Sequence, residues 1–168
     1  MTTIHVCSRG DVAKTVNSTG AQSLVSISGP GDPVPSLTQI DRHLKLTFQD
    51  VGGNMPPTKS DIEKLLSFAS EWDRAKPIVV HCWQGVSRSP AAAFIVACSL
   101  FRSVAEAHIA RMIRKASPTA QPNIVMVSIA DEVMGRGGRM VEAIASAMGA
   151  PKAGHAKPFG IGLPGRDG

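Results

Sequence analysis

Tyrosine is absent from the 168 residues, and the aromatic side chains are two tryptophans and five phenylalanines. So few rings leave little for bases to stack on, and no helix-turn-helix pattern accompanies them, which argues against a specific nucleic-acid partner. Cysteine is scarce as well. Cys7, Cys82 and Cys98 form neither an even-numbered framework nor a CxxC pair, so a disulfide scaffold and a zinc site are excluded and reduced thiols are expected. The histidines His5, His43, His81, His108 and His155 are scattered without ligand spacing, and neither a metal nor an organic cofactor is expected. No run approaches the roughly 20 apolar residues that span a bilayer. The N-terminal MTTIHVCSRG has neither secretory nor transit character, so a cytoplasmic protein without a membrane partner is expected.

What is present fits one ordinary domain: 43% apolar residues and a net charge of +5 over 168 positions. The positive balance favours anionic partners at long range. Arg111, Arg114, Lys115, Arg136 and Arg139 are read as solvated surface.

Strand signals come first along the chain. TIHVC, Ser23–Ser28 and His43–Phe48 read as strands, with a helix over Arg9–Ser18 stopped at Gly20. A helix from Ser60 to about Arg74 is signalled by the capping-box pair Ser60 and Glu63 and by Ile62, Leu65, Leu66 and Ala69 on one face. PIVVH, from Pro77, has the continuous apolar character of a strand buried on both faces. PAAAFIVACSLF follows as a core helix with Pro90 in its first turn. Ser103 with Glu106 again suggests a capping box, opening a helix to about Lys115. Pro122-Asn123 caps IVMVSIADEVM, and a last helix covers MVEAIASAM. The expected fold is α/β: four or five strands, at least partly parallel, flanked by helices. The domain is placed at 1–148, and the Gly/Pro/Lys-rich residues 149–168 are expected to be a mobile tail.

The segment HCWQGVSRSP, His81 to Pro90, joins the buried strand to the core helix. A sharp turn into a helix leaves backbone amides without partners, and such a cup binds an anion through its N–H groups and the helix dipole. Gly85 suits the positive φ this turn needs, and Trp83, Gln84, Gly85, Val86, Ser87 and Arg88 would supply the cup. Cys82 stands at its floor, where an anion site favours thiolate over thiol. Arg88 adds a planar fork able to take two phosphate oxygens.

The C-x5-R spacing with its preceding His81 and following Ser89 resembles the signature loop of cysteine-dependent protein tyrosine phosphatases, and HCWQGVSRSPAAA is similar to their small dual-specificity branch. The resemblance implies phosphate monoester hydrolysis through a phosphocysteine on Cys82. Arg88 would bind the phosphoryl group, Ser89 would donate to the sulfur, and His81 would position the cysteine from behind. It also implies a carboxylic acid on a loop about thirty residues upstream, and Asp50, 32 residues before Cys82, fits ahead of Asp41 and Asp61. The implied substrates are phosphorylated proteins, phosphotyrosine first and phosphoserine or phosphothreonine beside it. With no tyrosine to wall a deep pocket, strict tyrosine specificity is not implied. A phosphate-binding pseudo-phosphatase, a phosphatase of phosphoinositides or RNA 5′-ends, and rhodanese-type sulfur transfer are the alternatives.

Overall fold

The computed structural model describes residues 2–150 and 152–164. Strand β1 (Thr2–Ser8) passes through a 3-10 turn, Arg9–Asp11, into α1 (Val12–Thr19), which Gly20 ends in a left-handed conformation. There follow β2 (Ser23–Ser28), β3 (Arg42–Thr47), α2 (Lys59–Ser70), β4 (Ile78–Cys82), α3 (Arg88–Leu100), α4 (Glu106–Ala116), α5 (Ile124–Val133), α6 (Arg139–Met148) and β5 (Phe159–Leu163). The sheet order is β3-β2-β4-β1-β5, parallel except for the antiparallel pair β1–β5. The architecture is the expected α/β one.

The sheet separates two cores. On one face α1 covers Cys7, Leu24 and Val79 with Val12 and Val16. On the other, α3 lies buried along Arg88–Cys98, packed among α2, α4, α5 and the sheet. Because β4 is central and buried at every position, its C-terminal end delivers Cys82 to the middle of the sheet's upper edge. Ligand sites in open parallel sheets lie at this edge.

Four expectations are corrected. The segment 149–168 contains β5, whose Phe159, Ile161 and Leu163 are buried against the core while its backbone pairs with β1; Pro151 and 165–168 lie outside the described residues. The sequence Phe-Gly-Ile-Gly-Leu alternates with strand period, so pairing with β1 buries one whole face. Helix α2 is capped two residues earlier than expected and ends at Ser70: Thr58 accepts from Asp61 N, and Asp61 accepts from Thr58 N, so this pair forms the capping box in place of Ser60 and Glu63. Helix α4 starts at Glu106 without a side-chain cap. The Glu106 carboxylate instead receives Arg136 at 2.7 Å and Arg139 at 3.3 Å. Burial alone would raise its pKa, but these guanidiniums and a backbone hydrogen bond hold it below the usual carboxylate range. Arg136 is therefore an internal bracket, donating also to the Cys98 carbonyl. Arg114 likewise turns inward, to the carbonyls of Ser117, Ala120 and Met148.

Candidate active site

Residues Cys82 to Arg88 form a closed turn between β4 and α3. Gly85 adopts φ +73°, and a Cβ there would stand 2.9 Å from both Cys7 C and Ser8 N. Glycine is thus required twice, by the left-handed backbone and by the contact with β1. Outside anchors hold the loop carbonyls: Arg9 N donates to Trp83 O, Gln121 N to Val86 O, and Asn123 N to Ser87 O. In a planar trans peptide the carbonyl and the following N–H point opposite ways. These anchors therefore turn the amides of Gln84, Ser87 and Arg88 toward the inside of the loop. Arg114 contributes at a distance, because it fixes the Ser117–Ala120 bend that presents Gln121 and Asn123.

Cys82 Sγ sits inside this ring, accepting from Gly85 N at 3.3 Å and hydrogen-bonded with Ser89 Oγ at 3.1 Å. Arg88 is buried. Its Nη1 donates to the Phe48 carbonyl at 2.9 Å, whereas its Nε has no protein partner. No carboxylate pairs with Arg88 among the described residues. A buried charge without a counter-charge is unfavourable, so this guanidinium is arranged for an anion. The loop opens into a hollow of about 220 Å³ lined by Asp32, Asp50, Cys82, Trp83, Gln84, Val86, Ser87 and Arg88.

Asp50 reaches the hollow from the loop after β3. Its Oδ1 accepts from Ser87 Oγ and from Asn123 Nδ2, both at 2.7 Å, and no hydrogen bond among the described residues falls on Oδ2. Asp41 and Asp61 stand elsewhere: Asp41 borders a separate depression with Arg42 and Glu71, and Asp61 is occupied in the α2 cap. Trp83 is half-exposed at the mouth, with the Arg9 guanidinium 5.2 Å from its ring centroid.

Behind Cys82, His81 Nδ1 lies 3.3 Å from the Cys82 carbonyl, and its Nε2 lies 2.7 Å from Ser26 Oγ. Ser26 is in turn 2.7 Å from His43 Nε2. Burial pushes the His81 imidazole down to about 4, so the ring is neutral at pH 7. One proton ordering satisfies every contact: Nδ1–H donates to the Cys82 carbonyl, Ser26 donates to Nε2, and Ser26 accepts from His43 Nε2–H. Asp50, Cys82, Trp83, Gln84, Val86, Ser87 and Arg88 thus line one hollow, with Gly85 and Ser89 bonded to the Cys82 sulfur and His81 to the Cys82 carbonyl. Ser26, His43 and the Asp50 contact of Asn123 are additions that local sequence did not reveal, although Asn123 does cap α5 as expected.

A sequence model of the protein-tyrosine phosphatase family matches residues 39–127, more than half of the chain. The chain belongs to the protein-tyrosine phosphatase family. Comparison with curated proteins returned no match. Among solved structures, DUSP15 is similar at 16% identity and TM-score 0.62, covering 86% of this chain and 89% of its own. Human DUSP28 is similar at 19% identity and TM-score 0.61, covering 79% and 88%. PTPMT1 follows at 14% identity and TM-score 0.58, covering 80% and 94%. At these identities the likeness establishes the dual-specificity phosphatase fold of this family member.

Proposed function

We propose that the chain hydrolyses phosphate monoesters, phosphotyrosine and also phosphoserine or phosphothreonine in proteins, through a phosphocysteine on Cys82. The observation that carries this reading is the buried, carboxylate-free Arg88 in the same hollow as a cysteine sulfur ringed by donors. In the first step the Cys82 thiolate attacks phosphorus in line. The S–P bond forms as the P–O bond breaks, and Asp50 passes a proton to the departing oxygen. The loop amides and Arg88 stabilise charge on the equatorial oxygens. In the second step water attacks phosphorus, Asp50 takes the water's proton, and the sulfur leaves with Ser89 donating to it. His81 orients the cysteine backbone and does not exchange protons with substrate. A solved structure of PTPMT1 holds PI(5)P, which keeps an inositol-lipid phosphate as a second reading.

The test is hydrolysis of p-nitrophenyl phosphate across pH with Cys82→Ser as control. Turnover that disappears in Cys82→Ser supports the proposal. Phosphopeptide binding without turnover would instead identify a binding module, and sulfur transfer from thiosulfate a rhodanese-type enzyme. Asp50→Asn should slow alkyl phosphates far more than p-nitrophenyl phosphate, whose leaving group needs little protonation. Equal slowing would assign the acid elsewhere.

A further inference from the structure

Among the described residues, the large apolar side chains left exposed are Val51, Met55, Trp83, Ile124 and Val125. Trp83 lines the catalytic hollow, and the other four lie in the two segments that carry Asp50 and its partner Asn123. Val51 follows Asp50. Met55 closes the same loop, its backbone N receiving Gln49 Oε1 and its carbonyl receiving Gln49 N. Trp83 follows Cys82 and lines the hollow. Ile124 and Val125 follow Asn123, whose side chain holds Asp50. Three separate segments tied to the hollow therefore expose apolar side chains, while the other large apolar residues described are at least partly buried. A grouped exposed patch of this kind marks an interaction surface.

Charge around the opening identifies the occupant. Two carboxylates, Asp32 and Asp50, line the hollow beside one guanidinium, Arg88. Arg9, the cation at the edge, is stacked on Trp83 and donates from Nε to the Pro33 carbonyl at 3.0 Å. Lys59, at the start of the helix that follows the Asp50 loop, faces Glu63 at 3.8 Å. Arg88 is the one guanidinium inside the hollow and Arg9 at its edge is matched in number by Asp32, so there is provision for one phosphate and no basic cluster for a second. A polyphosphorylated inositol, an RNA 5′-triphosphate or an anionic bilayer would meet Asp32 with the single edge cation Arg9 beside it, whereas anionic surfaces are recognised by basic clusters. Resting on the phosphatase reading, we propose that the mouth docks a protein segment whose single phosphoresidue is flanked by large apolar side chains.

The test uses matched phosphotyrosine and phosphothreonine peptides flanked by Leu and Val, by Ser and Gly, or by Asp and Glu. Phosphatidylcholine vesicles carrying a phosphatidylinositol monophosphate form a parallel arm. Apolar flanks should raise kcat/KM about tenfold over Ser and Gly flanks, the effect of burying one or two such side chains. Acidic flanks should be slowest. The double change Val51→Ser, Ile124→Ser should bring the ratio of apolar to Ser/Gly-flanked peptide close to one. Equal rates, a preference for acidic flanks, or faster cleavage on vesicles overturns the proposal. Peptide affinity measured on Cys82→Ser gives the same ranking without chemistry. If p-nitrophenyl phosphate is not cleaved, the phosphatase reading fails, while that ranking still decides the docking proposal.

Discussion

Asn123 Nδ2 donates to Asp50 Oδ1 at 2.7 Å, joining the start of α5 to the loop after β3. The same side chain accepts from Met126 N at 3.0 Å as the helix cap. Two substitutions separate the roles. Asn123→Asp keeps an effective cap but sets a carboxylate against Asp50, whereas Asn123→Ala removes both contacts. Loss of a cap costs about 1 kcal/mol, so only Asn123→Ala should lower stability through the helix. Both should reduce kcat for alkyl phosphates by about tenfold, within the range of general acid catalysis, and p-nitrophenyl phosphate by less. Paired kinetics and thermal unfolding check this. Normal alkyl phosphate kinetics in both variants would mean that Asn123 does not position Asp50.

Gly85→Ala should disable the loop. The backbone there is left-handed, and a methyl would meet β1 atoms at 2.9 Å. Gly20→Ala is the control, since Gly20 also has positive φ, +69°, but nothing lies within 4 Å of its Cβ position. Strain alone costs about 1 kcal/mol at such a site. Gly20→Ala should lose about that much stability with activity intact. Gly85→Ala should lose more, together with at least tenfold of kcat/KM on p-nitrophenyl phosphate.

Stability should fall with acidification before most carboxylates titrate. His81 is held neutral by burial down to about pH 4, while an unfolded chain protonates its histidines near 6.5. Between those values the unfolded state binds more protons, so stability is complete above about 6.5, declines as pH falls, and stops declining from this source below about 4. The full loss is on the order of 3 kcal/mol. His43, lowered by burial and by Lys45, acts in the same direction. Urea unfolding at pH 7.5, 6.0 and 5.0 should show the decline, and His81→Gln should flatten it.

Oxidation should not link Cys7 to Cys82. The register sets Ser8 opposite Cys82, so Cys7 points to the other face of the sheet, where it packs with Val12 and Val16. Burial pushes the Cys7 thiol up to about 12, which removes it as a thiolate as well. Peptide mapping after peroxide treatment should recover no Cys7–Cys82 disulfide, and Cys7→Ala should be inactivated as fast as the unaltered chain.

The strand, loop and helix around Cys82 were legible because their signals are contiguous: an apolar run, a glycine at the turn, an arginine and serine at a helix start. Asp50 was legible only through the family resemblance. Ser26 and His43 were not, since they meet His81 through sheet neighbours, and β2 lies beside β4 only once the strand order is known. Strand β5 was obscured by the glycines and prolines around it, although Phe159, Ile161 and Leu163 already alternated. Arg114 and Arg136 resembled surface cations because the carbonyls they serve lie at helix ends remote in sequence.

Strand β5 also bears on chemistry far from it. It clamps the outer side of β1, and β1 is the wall on which Gly85 rests and which leads into Arg9, whose N donates to Trp83 O. Removing the last strand would leave that wall supported from β4 alone and unseal a row of main-chain groups able to pair with a second molecule. The final segment is thus a buttress for the Cys82–Arg88 loop, and trimming it should blunt turnover and invite self-association together.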